Sequence, residues 1–304
     1  MSRPRTATIA TLLALAIVGC GTAPARVVEP AATPKPAPVD DIPSHLSQGS
    51  LLRAHLAPGT GLELLAADGS ATAVRVGADG GFALAAGRDE IGPLHLRLRH
   101  ADGRIELREL AVDKREWHLE RIEGVPESTV NPPPEIATRI AREQAMVSAA
   151  RARDDGRDDY EVTFQWPVHG RVSGVYGSQR IYNGTPKSPH SGLDVAAAQG
   201  TPVHAPAAGI VTLAEPGLYL TGGTVLLDHG HGVSSNFLHF SRIDVHVGQR
   251  VEQGEVLGLV GMTGRATGPH MHWGMNWFGV RVDPRLLLPP TSPATPSKAA
   301  TPSR

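Results

Sequence analysis

Gly222-Gly223-Thr224-Val225-Leu226-Leu227, then Asp228-His229-Gly230-His231-Gly232, then Ser234 to Phe240, reads as a strand, a turn and a strand. The same texture of short apolar runs broken by glycine fills residues 161–289, and no helix-length periodic stretch interrupts it. This predicts a mainly β region, a Gly-rich antiparallel barrel or sandwich. Eleven of the chain's 13 aromatic residues lie from Tyr160 onward, so the larger core belongs here.

Upstream, residues 46–124 also read as short strands. Leu94, Leu96 and Leu98 alternate with His95, Arg97 and Arg99, which buries one face, and Ile105 and Leu107 are expected to continue that pattern after the turn Ala101-Asp102-Gly103. The tripeptide Ala-Asp-Gly recurs at 67–69 and 78–80, each a turn signal. Six or seven strands at this spacing predict a small immunoglobulin-like sandwich. Its histidines, His45, His55, His95, His100 and His118, read as surface or strand-face residues. Between the two β regions, 125–160 reads as helix and linker. Pro132-Pro133-Pro134 opens a helix from Glu135 to about Arg153, with Ile136, Ile140 and Val147 on one face. The charge run Asp154–Asp159 follows as a solvated polar hinge.

Composition narrows the function classes. The 304 residues predict about two domains, and 29 Lys+Arg against 30 Asp+Glu leaves a net charge of −1, which argues against a nucleic-acid partner. A single cysteine excludes a disulfide framework and a four-cysteine zinc site. Any metal must therefore be held by carboxylates and some of the 14 histidines. The ends of the chain read as an address and a tail. Arg3 and Arg5 precede an apolar run from Ile9 to Val18, and Ile17-Val18-Gly19-Cys20 resembles a bacterial lipobox. Residues 1–19 are then a lipoprotein signal peptide, Cys20 the lipidated mature N-terminus, and 20–45 a Pro-rich tether. The implied localisation is exported and lipid-anchored to the membrane. Gly21, where an Asp would favour the inner membrane, points to the periplasmic face of the outer membrane. Residues 290–304 are expected to be a disordered tail.

Two histidine motifs carry chemistry. His190-Ser191-Gly192-Leu193-Asp194 is an HxxxD, and His270-Met271-His272 is an HxH followed by Trp273. On a strand, positions i and i+2 point to the same face, so His270 and His272 can share one site. Imidazole with carboxylate suits zinc, and a catalytic zinc keeps three protein ligands and one open position.

With their surroundings, the motifs are specific. Pro189–Ala197, Gly200–Val203, Ala205–Gly209, Phe237–Ile243, Val247–Val251 and Gly261–Trp273 resemble, in order, the LytM/lysostaphin-type zinc metalloendopeptidases, over about 165–288. The N-terminal sandwich resembles that of proteobacterial lipoprotein members. The resemblance implies the LytM-type duplicated hybrid fold and an enzyme that cuts peptide cross-links or stems of peptidoglycan in cell-wall remodelling. It implies one Zn2+ held by His190, Asp194 and His272, with His239 and His270 as the catalytic pair. Arg180 and Tyr182, just upstream of His190, are candidate substrate or oxyanion contacts. Protein regulators remain open as partners. His169, His204 and His246 read as background, and His229 and His231 as turn residues. Gly264 and Gly268 are expected to permit the loop that delivers His270.

Two other readings compete. Some relatives lack metal ligands and act by binding amidases, but all five positions are filled here. Val251–Gly258 has the texture of a biotinyl-type carrier, yet no lysine lies near the expected hairpin tip.

Overall fold

The chain is described by a computed structural model over residues 40–123 and 133–289. The signal segment with Cys20, most of the tether and the 290–304 tail lie outside the described residues.

Seven strands build the N-terminal part. His45–Ser47, Ile105–Asp113, Leu94–Arg99, Gly61–Leu65 and Ala71–Val74 form a five-stranded sheet in that order, and Leu51–His55 pairs with Gly81–Ala85. Leu96 and Leu98 are buried, as the alternation predicts. Ile105 and Leu107 are not: they are 57% and 71% exposed. The register explains the difference. Leu98 faces Glu106 and Leu96 faces Arg108 across the ladder, so Ile105 and Leu107 fall opposite Arg99 and Arg97 on the solvent side. Glu106, held by Arg108, His100 and Arg104, has its carboxyl drawn down to about 2.

Leu119–Ile122 leaves the sandwich and pairs in parallel with Gln179–Tyr182, which in turn pairs with Thr185–Pro186. Gly81–Ala85 is buried along its whole length, and a single apolar cluster runs from Leu84 and Leu98 to Trp273 and Val282. The sandwich is thus packed on the C-terminal part through a shared core.

The C-terminal part is antiparallel and Gly-rich, as its sequence predicts. Its main sheet runs Arg250–Val251, Gly209–Leu218, Gly222–Asp228, Val233–Phe240, His270–Trp277, Gly192–Ala196 and Arg171–Gly174, with Val280–Val282 added to His270–Trp277. A second sheet orders Pro202–His204, Val256–Leu259 and Arg242–Ile243. The decisive hairpin forms where expected, with Val225 opposite Phe237 and Leu227 opposite Ser235.

Helix α1 spans Pro134–Arg151 and buries no residue fully. Ile136, Ile140 and Val147 lie half-buried on one stripe, and Met146, Val147 and Ala150 pack on Leu213, Leu218 and Leu226. The acidic run after it is no solvated hinge. Asp154 pairs with Arg75 at 2.6 Å, Asp159 binds Arg250 through both oxygens at 2.6 and 2.7 Å, and Arg157 binds the buried Asp228. His229 and His231 are turn residues, as read, and the docked segment covers that turn, so both are buried. His229 spans from the Ala208 carbonyl (Nδ1, 2.7 Å) to Ser235 Oγ (Nε2, 2.8 Å), and the His231 ring lies 4.8 Å from that of Tyr160.

Candidate metal centre

The central sheet brings the two motifs together. Asp194 sits directly opposite His272 on the neighbouring strand, and Ala196 opposite His270. Directly opposed residues share a face, which puts the Asp194 carboxylate and both imidazoles on one side of the sheet. His190 enters from the loop before the strand. Its backbone N–H donates to Ser178 at 2.7 Å, and its carbonyl accepts from Gly177 at 2.9 Å.

Three atoms converge. His190 Nε2 is 3.1 Å from Asp194 Oδ1, His272 Nδ1 is 2.8 Å from the same oxygen, and the two nitrogens are 3.1 Å apart. His190 Nδ1 lies 3.0 Å from the Val175 carbonyl, which can only accept, so this nitrogen carries the proton. Neutral His190 therefore turns a lone pair from Nε2 toward a carboxylate oxygen. Two imidazole nitrogens and a carboxylate crowded this closely repel one another unless a proton or cation lies among them. A divalent metal ion fits that donor set, and the carbonyl holding Nδ1–H is the usual outer support of a ligating histidine. Burial pushes the Asp194 carboxyl up, but the neighbouring His190 and His272 outweigh it and hold the carboxyl below the normal carboxylate range, as a proton or cation shared among the three groups would.

His239 and His270 stand beside this cluster with rings 4.7 Å apart, and His270 Nε2 is 4.0 Å from Asp194 Oδ1. Their Nδ1 atoms are likewise committed to carbonyls, His239 to Thr263 at 2.7 Å and His270 to Gly268 at 2.8 Å. Each keeps Nε2 as the atom left for chemistry. Burial pushes the His239 imidazole down to about 4, against the Thr263 carbonyl, so it is neutral at neutral pH.

Residues 188–284 match the model of peptidase family M23. The chain is similar to a protein assigned to peptidase M23 from Pseudomonas aeruginosa, whose crystal structure matches with a TM-score of 0.60 and 33% identity, covering 80% of this chain and 94% of that one. The chain belongs to peptidase family M23. It is also 34% identical over 149 residues to the peptidoglycan DD-endopeptidase ShyA of Vibrio cholerae, across 48% of this chain and 34% of ShyA. It is 41% identical over 112 residues to the DD-carboxypeptidase/endopeptidase Mpg of Neisseria meningitidis, across 36% of this chain and 25% of Mpg. The match thus spans about a third or less of the length of these curated relatives.

Several features of this M23 site are not written in its motifs. His239 has a left-handed backbone (φ 68°), uncommon for a non-glycine residue and typical of functional positions. Strand pairing stops one residue earlier, at Leu238 opposite His272, and the His239 N–H donates to Thr221 instead. Two glycines make room for the ligands. A Cβ on Gly174 would lie 2.3 Å from Asp194 Oδ2, and one on Gly192 would lie 2.8 Å from His272 Nε2. Neither has a positive φ, so the demand is steric, and nothing in the sequence separates them from the other glycines among 34. Gly264 requires its glycine (φ 69°, against the backbone of Gly222), whereas a Cβ on Gly268 would meet open space.

Arg180 pairs with Glu120 at 2.9 Å on the strand that receives Leu119–Ile122, and Lys187 lies 6.0 Å over the Tyr182 ring. Arg180's charge is felt at His190, but neither side chain has a hydrogen bond to the five-residue cluster. No helix of the described residues is long and apolar enough to cross a membrane.

Proposed function

We propose that this chain is a zinc-dependent endopeptidase that hydrolyses peptide cross-links or stem peptides of bacterial peptidoglycan. The observation that carries the reading is the convergence of His190 Nε2, Asp194 Oδ1 and His272 Nδ1, with two further histidines beside them whose Nε2 atoms are uncommitted. A site built only for stability would have no use for that second pair. Relatives named as peptidoglycan endopeptidases support the substrate class.

Zinc bound at the three donors would supply Lewis acidity, polarising the scissile carbonyl and acidifying water. The chain's own residues do the rest. His239, neutral and held by Thr263, accepts the proton of the attacking water at Nε2. His270, held by Gly268, stabilises the developing oxyanion in its doubly protonated form, and the proton taken up by His239 passes to the leaving amine. Arg180 and Tyr182 are the candidate substrate contacts, Arg180 after exchanging its Glu120 partner. The chain would act outside the cytoplasm, lipid-anchored through Cys20 at the periplasmic face of the outer membrane, with the sandwich as spacer, wall-binding or occluding module. Mass spectrometry of fragments from defined muropeptides, with and without a chelator, tests the reading. Zinc binding without release of any peptide fragment from sacculi would refute it.

A further inference from the structure

A second group of potential ligands lies where the sandwich meets the C-terminal part. His55, Asp79 and Glu161 bring one nitrogen and two carboxylate oxygens within 4.8 Å of one another. His55 Nε2 is 3.3 Å from Glu161 Oε1 and 3.8 Å from Asp79 Oδ2. Zinc–nitrogen and zinc–oxygen bonds of about 2.0–2.2 Å put ligands on tetrahedral edges of roughly 3.4 Å, so both separations suit a shared ion.

The state of His55 is the second observation. Its Nε2 is buried and makes no hydrogen bond, although two carboxylates are near it. A ring nitrogen with an acid at 3.3 Å ordinarily hydrogen-bonds to it. Here Glu161 Oε1, which also accepts from the Tyr160 hydroxyl at 3.3 Å, stands at ion-pair distance without a hydrogen bond to Nε2, and Asp79 Oδ2 stands further off, so Nε2 adjoins a position that both carboxylates can share.

The surroundings are built rather than incidental. His55 lies opposite Gly81 in the strand pair, and a Cβ on Gly81 would come 2.2 Å from Glu161 Oε1, so the glycine makes space for that carboxylate. Arg53 fixes the segment carrying Glu161, donating to the carbonyls of Tyr160, Glu161 and Val162 at 3.1, 3.3 and 2.5 Å. Asp79 belongs to one of the three Ala-Asp-Gly turns. In all three, the aspartate accepts from the backbone N–H two residues on, but only Asp79 also approaches a histidine and a glutamate in a metal-type group.

We propose that His55, Asp79 and Glu161 form a second divalent-metal site, of the zinc class, that clips the sandwich to the start of the C-terminal part. Two of its ligands come from the sandwich and one from the segment leading into the other sheet system. The site is structural, and it stands whether or not the first site is catalytic.

Zn2+ titration of the chelator-stripped full chain, read by bound metal and by melting temperature, tests this. The wild type should bind two equivalents, and His272→Ala and His55→Ala one each. In the His272→Ala background, zinc should still raise the melting temperature, and adding His55→Ala should abolish that rise. Should His55→Ala fail to fold, Glu161→Gln and Asp79→Asn carry the same expectation. Loss of no equivalent in any of the three second-site variants, or a zinc-induced rise in melting temperature that survives His55→Ala in the His272→Ala background, would overturn the proposal.

Discussion

Gly192→Ala is the sharpest perturbation of the first site, because it adds one methyl group to a residue with no chemistry of its own. The new Cβ would stand 2.3 Å from the carbonyl oxygen of Trp273 and 2.8 Å from both Gly274 Cα and His272 Nε2. Ordinary contact begins near 3.4 Å, so the strands Gly192–Ala196 and His270–Trp277 must part by about 1 Å. The second strand cannot simply slide away, because it is paired on its other side with Val233–Phe240 over Val233 to Leu238. Overpacking of this kind costs about 1–3 kcal/mol, which in a chain of this size lowers the melting temperature by roughly 2–10 °C. The displacement falls on Asp194 and His272, which face each other across the same ladder. A misplacement of about 1 Å is worth roughly 100-fold in turnover, and disturbed ligand support about 10–100-fold in metal affinity. Zinc titration, thermal unfolding and muropeptide cleavage should all move, while Gly279→Ala, whose Cβ meets nothing, should move none of them. A Gly192→Ala protein with wild-type zinc affinity and melting temperature would refute the steric reasoning.

Further outcomes follow from the same geometry. His190→Ala and Asp194→Ala should lose metal binding at the first site together with cleavage, measured by zinc content and fragment release. His239→Ala and His270→Ala should retain that metal while turnover falls at least 100-fold, since their Nδ1 atoms bind carbonyls and their Nε2 atoms are not among the three convergent donors; loss of metal in either would reverse the division of roles. His229 is fully buried between Ala208 and Ser235, and burial pushes its imidazole down to about 4. The unfolded chain therefore takes up this proton first, so the contribution of His229 is intact above about 6.5 and is lost as pH falls toward 4. In denaturant titrations across that window, His229→Gln should flatten the dependence of stability on pH by up to one proton, about 1.4 kcal/mol per pH unit; an unchanged slope would count against the assignment.

The short-range patterns of this chain were informative because they are local. Glycine-punctuated apolar runs determine strands and turns without reference to distant residues, and the hairpin from Gly222 to Phe240 forms as read. HxxxD and HxH are spacings along one strand or its approach, so strand periodicity alone puts His270 and His272 on one face. What the sequence could not determine depends on which segments meet. Whether Ile105 or Glu106 faces the core is a matter of register with Leu94–Arg99, and a shift of one residue exchanges the two faces. The run Asp154–Asp159 looks like a free hinge until Arg75, Arg250 and Asp228 are brought to it from far along the chain. His239 reaches His270 through a left-handed backbone that no spacing announces. Gly174 and Gly192 matter for what a side chain there would strike, and that is known only once Asp194 and His272 have been folded against them.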